Sequence, residues 1–226
     1  MKHVLPILSL VFLATACKTE TKKESVEPEP EPELSILEKV ANAHGYEQWK
    51  DVQEIAFTFN VDRDTIHFER TWIWETKTNQ ITSISGQDTL VYNRNEMDSV
   101  AYKANRGFIN DRYWAMAPFN MMWDKENFKY EHLEKALAPI SQDSLQKLTL
   151  VYGEEGGYTP GDAYDFYFGD DFKVREWVFR KANQEEPSMT TTWENYQSID
   201  GFQFAQDHKR QGTDAFNIAI TGIKIK

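Results

Sequence analysis

Two spacings of apolar residues organise the chain. Over residues 35–45 the apolar positions Ile36, Leu37, Val40 and Ala41 recur three and four apart, which marks one face of a helix. Ser35 with Glu38 three places on has the form of a capping box, and Gly45 stands where a helix stops. The spacing predicts a helix of two to three turns, with Trp49 packing beneath it. From Val52 the period drops to two. Ile55, Phe57, Phe59 and Val61 alternate with Glu54, Ala56, Thr58 and Asn60, and after Asp62-Arg63-Asp64 the residues Ile66, Phe68, Trp72 and Trp74 share one face. Short polar turns lead into strands predicted over 81–85, 89–92 and 99–104, an antiparallel meander.

Residues 108–123 read FINDRYWAMAPFNMMW and interrupt that meander. They are predicted to form an inserted helix, with Asn110 or Asp111 as its cap and Pro118 ending or kinking it. Strands resume at 128–130 and, past Pro139, at 145–152. A glycine-rich loop follows over 153–161, then strands at 163–168, 173–181, 189–196, 202–209 and 216–225. The expected fold is mainly β: a curved antiparallel sheet, an open half-barrel of about ten or eleven strands. A leading helix and an inserted helix would lie over its concave face.

Some strands are apolar on both sides. Trp72 and Trp74 oppose Ile73, and Val174 and Val178 oppose Trp177 and Phe179. Such strands need cover on both faces or a cavity on one. Two accounts follow. In the first, the helices fill the concave face. In the second, Trp72, Trp74, Tyr113, Trp114, Met116, Phe119, Met121, Met122 and Trp123 line a cavity for an apolar ligand, the methionines repacking around irregular guests.

The amino terminus carries a different signal. Met1-Lys2-His3 is a short basic start, and residues 4–16 form a mostly apolar run too short to span a bilayer, which takes about 20 residues. The run has the proportions of a secretory signal, ends in Ala14-Thr15-Ala16, and precedes Cys17, the one cysteine of the chain. Alternating Glu and Pro over 27–33 cannot build helix or sheet, so residues 17–33 are expected to be an extended acidic tether and residues 34–226 the folded domain. The net charge of −11 argues against nucleic-acid binding and against electrostatic attachment to anionic headgroups.

Little in the chain points to catalysis or to a cofactor. His44, His67, His132 and His208 are scattered without metal-ligand spacing, and no nucleophile elbow or phosphate loop is present. Asp162, Asp165, Asp170 and Asp171 crowd two turns, where Asp is ordinary turn chemistry and only secondarily a calcium ligand set. His208-Lys209-Arg210 reads first as a solvated strand end and only secondarily as a small anion site. The expectation is a binding protein and not an enzyme.

Two resemblances sharpen this reading. The run before Cys17 resembles the lipobox of bacterial lipoproteins, with Ala14 where Leu usually stands. That resemblance implies diacylglyceryl and N-acyl modification of Cys17, cleavage before it, and a permanent membrane anchor. Lys18 in place of the inner-membrane-retaining Asp points to the outer membrane. The domain resembles the superfamily of periplasmic lipoprotein carriers and outer-membrane lipoprotein receptors. The features that carry it are the leading helix, the curved meander, Y-W-x-x-x-P-F over Tyr113–Phe119, and W-x-x-Y-x-x-x-D-G-F-x-F over Trp193–Phe204. It is most similar to lipoproteins of this half-barrel type with no assigned activity. The resemblance implies a lipid or acyl ligand on the concave face and a role in lipoprotein or lipid trafficking. The alternative is a lipidated interaction module of the envelope, without a ligand cavity and with a protein partner that the sequence does not specify.

Overall fold

The structure, a computed structural model, describes residues 33–226; the signal segment, Cys17 and the tether as far as residue 32 lie outside the described residues. Helix α1 (Ile36–Ala43) starts with the predicted box: the Glu38 amide donates to the Ser35 hydroxyl, and the Ser35 amide donates to the Glu38 carboxylate at 2.8 Å. Its buried face is Leu37, Val40 and Ala41. Gly45 takes the left-handed φ of 93°, and a Cβ there would lie 2.9 Å from the Gly201 carbonyl, so both the turn and its close approach to a later hairpin require glycine. A 3₁₀ segment (Tyr46–Asp51) follows and seats Trp49 against Trp74 and Trp123.

Twelve strands build two antiparallel sheets among the described residues. Strands β1 (Glu54–Arg63), β2 (Ile66–Glu75), β3 (Gln80–Ser85) and β4 (Asp88–Asn93) form the early meander. Strands β10 (Glu194–Ile199), β11 (Phe202–Lys209) and β12 (Phe216–Ile225) join it in the order β10-β11-β12-β1-β2-β3-β4. The second sheet runs β5 (Phe128–Leu137), β6 (Ser144–Tyr152), β7 (Ala163–Phe168), β8 (Val174–Arg180) and β9 (Met189–Thr192).

The strand predicted over 189–196 breaks in two at Trp193: β9 pairs with β8, whereas β10 pairs with β11. The chain therefore steps from one sheet into the other, and the step is sewn by a Thr191–Arg210 bridge and the Gln211 amide on the Thr190 carbonyl at 2.9 Å. At the far sides, β4 and β5 are separate edges. The result is a half-barrel that is not closed.

Direct cross-strand partners share a face, so the register lays out the concave surface in rows. From the β1–β2 turn inward, Arg63 stands between Phe216 and Ile66, Val61 between Ile218 and Phe68, and Phe59 between Ile220 and Arg70. Deeper in, Phe57 faces Trp72 and Ile55 faces Trp74.

The inserted helix is longer than predicted. Helix α2 spans Ser99–Trp123, capped by the Asp98 carboxylate on the Val100 and Ala101 amides at 3.0 and 2.8 Å, so the strand expected over 99–104 is its first turn and a half. The period of two there was misleading, because Val100 and Tyr102 are exposed while Ala101, Asn105 and Phe108 form the buried helical stripe. Asn110 and Asp111 lie mid-helix and cap nothing. Pro118 kinks the helix without ending it: its nitrogen has no hydrogen to give the Trp114 carbonyl, and Met116 leaves helical geometry at φ −140°, ψ 33°.

Asp111 ties this helix to the sheet. It is fully buried, and one carboxylate oxygen accepts from Arg70 Nε and Nη2 at 2.9 and 2.7 Å and from the Trp72 indole at 2.7 Å. Burial raises its carboxyl above the ordinary value, against the opposing pull of Arg70. Gly107, one turn earlier, leaves room for the guanidinium, since a Cβ there would sit 2.7 Å from Arg70 Nη1. Phe108 and Trp123 then pack edge-on against Trp72 and Trp74. Arg112 lies over the Trp123 and Trp74 rings at 4.8 and 5.6 Å and donates to Asn120, and burial lowers its pKa to about 10.

The outer face of the second sheet is covered as well. Val178 and Tyr167 pack under Ala138, and the buried Glu176 carboxylate accepts from the Ile140 and Ser141 amides at 2.6 and 2.8 Å. Asp165 is buried between Arg180, Lys147 and Thr149, Asp171 pairs with Arg175, and Asp162 accepts from the Ala182 amide. These aspartates are spent on turns and ion pairs, and among the described residues no group of three or more potential ligands converges on a metal position.

Two consequences can be measured. Asp111→Ala strands a buried indole N–H and a partly buried guanidinium, and is expected to cost about 3–5 kcal/mol of stability, with Asp111→Asn milder because it keeps an acceptor; urea unfolding checks both. His44 and His208 are fully buried, and desolvation lowers their pKa values to about 4 and about 3. Below pH about 6.5 the unfolded chain takes up protons that the folded chain refuses. Stability should then fall with pH by about 1.4 kcal/mol per unit for each histidine until the folded values are reached. Thermal unfolding at pH 7, 6 and 5 is expected to show Tm dropping ever more steeply, and His208→Phe roughly to halve that slope; a flat wild-type profile would contradict the buried neutral pair.

Candidate functional site

The concave face is filled unevenly. Around the kinked half of α2 it is densely packed: Trp72, Met116, Phe119 and Met121 are buried, as is Trp74, while Trp123 is partly buried beside Trp49 and Met122 lines a second depression of about 340 Å³ with Tyr46, Trp49 and the polar side of α1. Seven of the nine residues predicted to line a cavity are thus placed in or against the core. The other two, Tyr113 and Trp114, lie in a different setting.

Between α2 and the two sheets a cavity of about 340 Å³ remains. Helix α2 contributes Asn110, Tyr113 and Trp114 to its wall, and the first sheet contributes Phe59 and Ile218. The second sheet supplies Tyr164, Trp177, Phe179 and Met189, and the β6–β7 loop adds Tyr158 and Thr159. The register explains the convergence. Tyr164 pairs with Phe179 and Phe166 with Trp177, so their side chains share the inward face of β7 and β8 while Val178 points outward under Ala138. The two-sided apolar pattern of β8 therefore has both of its explanations at once: a covered outer face and a cavity within.

The cavity has no charged wall. Its polar atoms are hydroxyls, an indole N–H and the Asn110 amide. Tyr113 stacks on Tyr158 with ring centroids 3.9 Å apart and planes 3° from parallel, and the Thr159 and Tyr164 hydroxyls are hydrogen-bonded at 2.6 Å. Burial raises the pKa of Tyr113, Tyr158 and Tyr164, so all three stay neutral. The Tyr113 hydroxyl and the Trp177 indole N–H are buried and face each other, with no other hydrogen-bond partner. Behind them Trp114 packs between Trp177 and His208 with centroids 4.8 and 5.3 Å away, and Trp193 closes the other side of His208 at 4.5 Å.

Phe59 and Ile218 belong to the second and third rows of the concave face, so the cavity abuts the rows nearest the β1–β2 turn. There the apolar face continues into solvent: Val61 is half-buried, Phe68 is 41% exposed and Ile66 is 67% exposed. Of the wall residues that sequence reasoning did not single out as lining, Trp177 and Phe179 were flagged by their two-sided strand. Tyr158 had a weaker signal, an aromatic residue inside a glycine-rich loop. Phe59 and Ile218 had none, because an inward-facing strand residue reads the same whether it meets a side chain or a void.

No protein-family model matches the chain, and no curated protein does. Among solved structures, a LolA superfamily protein from Nitrosomonas europaea is similar to it with a TM-score of 0.51 at 12% identity, over 84% of this chain and 92% of that one. A DUF1329 family protein from Desulfovibrio piger aligns with a TM-score of 0.47 at 9% identity, over 85% of this chain and 94% of that one. A domain from Vibrio parahaemolyticus named for outer membrane lipoprotein sorting gives 0.47 and 9%, over 84% and 93%. The first of these likenesses, at its low identity, establishes the fold: two antiparallel sheets and an inserted helix in a LolA-like half-barrel.

Proposed function

We propose that this domain binds a single apolar chain in the cavity between α2 and the sheets, and that it does so as an envelope lipoprotein anchored through Cys17, in lipid or lipoprotein trafficking. The observation that carries the reading is the uncharged, aromatic-walled cavity of about 340 Å³. That volume sits at the small end of the roughly 300–1,000 Å³ range of ligand pockets. At about 30 Å³ for a water-sized unit of liquid, it suits a chain of about ten carbons. Burying ten methylenes at about 0.8 kcal/mol each gives about 8 kcal/mol gross, the equivalent of micromolar affinity before the costs of association are subtracted.

The trafficking role draws on the lipobox at Cys17 and on a fold shared with a LolA superfamily protein. The acidic tether would hold the domain off the bilayer, at about 3.1 Å per residue if extended as polyproline II.

Met189→Trp, which fills the cavity from its β9 side, is expected to weaken binding of decanol at least tenfold, read by quenching of Trp114 and Trp177 fluorescence, while Tm moves by no more than a few degrees. Native mass spectrometry showing no bound or exchangeable apolar molecule, with decanol failing to bind the wild type, would sink the ligand-binding reading and favour an interaction module. For the anchor, palmitate labelling and membrane association are expected to vanish in Cys17→Ala.

A further inference from the structure

The outermost row of the concave face carries two arginines with nothing to pair with. Arg63 ends β1 and is the direct partner of Phe216 on β12, and the Arg210 amide donates to the Phe216 carbonyl from the other side. The row therefore reads Arg210, just past the end of β11, then Phe216, Arg63 and Ile66 on β12, β1 and β2. With strands about 4.8 Å apart, the two arginine backbones stand about 10 Å from each other with the Phe216 ring between them. The Arg210 guanidinium lies over that ring, 6.0 Å from its centroid, which places it on the same face. The next row in is His208, Ile218, Val61 and Phe68, and Ile218 is cavity wall.

What sets these two apart is their position in one row, since among the described residues Arg106 on α2 is likewise exposed and without an ion pair or side-chain hydrogen bond. Arg70, Arg175 and Arg180 are held by Asp111, Asp171 and Asp165, and Arg94 and Arg112 donate to Asn105 and Asn120. Among the described residues, Arg63 and Arg210 make no ion pair and no side-chain hydrogen bond, although Asp64 and Asp214 sit in the adjoining turns. Both are exposed. In a chain of net charge −11, these are two unpaired guanidinium groups in the row next to an apolar cavity, with the carboxylates of Asp64 and Asp214 in the adjoining turns left unpaired to them.

We propose that Arg63 and Arg210 form the headgroup site of an anionic amphiphile, a single alkyl chain ending in a carboxylate or a phosphate. The chain runs over Val61 and Phe68 into the cavity, and the head rests above Phe216 between the two guanidinium groups. The chemistry fits at each point. A guanidinium presents a planar fork of donors that matches the oxygens of either head. The apolar lip between rim and cavity keeps the chain out of water as it enters. Because the rim is exposed, the attraction is short-ranged and weakened by salt. This proposal rests on the apolar-chain reading above.

Isothermal titration of the purified protein with decanol, decanoate and decyl phosphate separates the two ideas. At low ionic strength decanoate or decyl phosphate is expected to bind at least tenfold more tightly than decanol, with the advantage shrinking in 0.5 M NaCl. The two charged probes also tell a carboxylate head from a phosphate head. In the Arg63→Ala/Arg210→Ala double variant the advantage over decanol should disappear, and in the Arg63→Lys/Arg210→Lys variant part of it should return. If the wild type binds all three probes equally, or the alanine variant keeps the preference, the headgroup site is wrong and the apolar-chain reading stands. If none of the three binds the wild type, both fall.

Discussion

A carboxylate with no access to water holds the helix of this protein against its sheet. Asp111 takes three hydrogen bonds from β2 on one oxygen, and each donor has a second role: Arg70 lies in the space that Gly107 leaves open, and Trp72 is the floor on which Phe108 packs. A buried charge of this kind adds little net stability over a hydrophobic equivalent, but it is intolerant of displacement. Sliding the helix by one turn would strand the carboxylate, the guanidinium and the indole together. The pairing thus sets the register of α2 on the concave face, and every residue that α2 offers to either end of that face follows from it.

That register explains why one half of the concave face is densely packed and the other is not. Beyond Asp111 toward its carboxyl end, the helix carries Arg112 across the Trp74 and Trp123 rings and then kinks at Pro118, pressing Phe119 and Met121 into the core. On another side it presents Tyr113 and Trp114 to a span between the sheets that two flat rings do not fill. The cavity is the remainder left by a helix fixed in place by charge and shaped by proline.

The architecture was largely legible in the residues. The capping box at Ser35 and Glu38, the meander from Val52, and the late hairpin around Asp200-Gly201 all rest on local chemistry that acts wherever the chain goes. The failures were tertiary. Over 99–104 the apolar residues at alternate positions imitated a strand, and the decisive signal was one residue earlier, in the Asp98 cap. Asp111 looked like a cap because helix-start chemistry and buried-acceptor chemistry use the same side chain. The methionines and aromatics of 108–123 were read as one lining set, but the kink at Pro118 sends most of them into the core. Apolar character shows that a residue leaves water and is silent on whether it meets a neighbour or a void.

The step at Trp193 bears on how such a remainder could change size. Because β9 and β10 are successive stretches of one strand, the two sheets share a spine, and neither can separate from the other there without tearing backbone pairing at Thr191 and Arg210. No such ladder joins β4 to β5. The relative motion that keeps every ladder intact is rotation about the spine, as covers turn on the binding of a book. Its leverage is smallest at Met189 and Ile218 beside the seam and greatest at the two free edges.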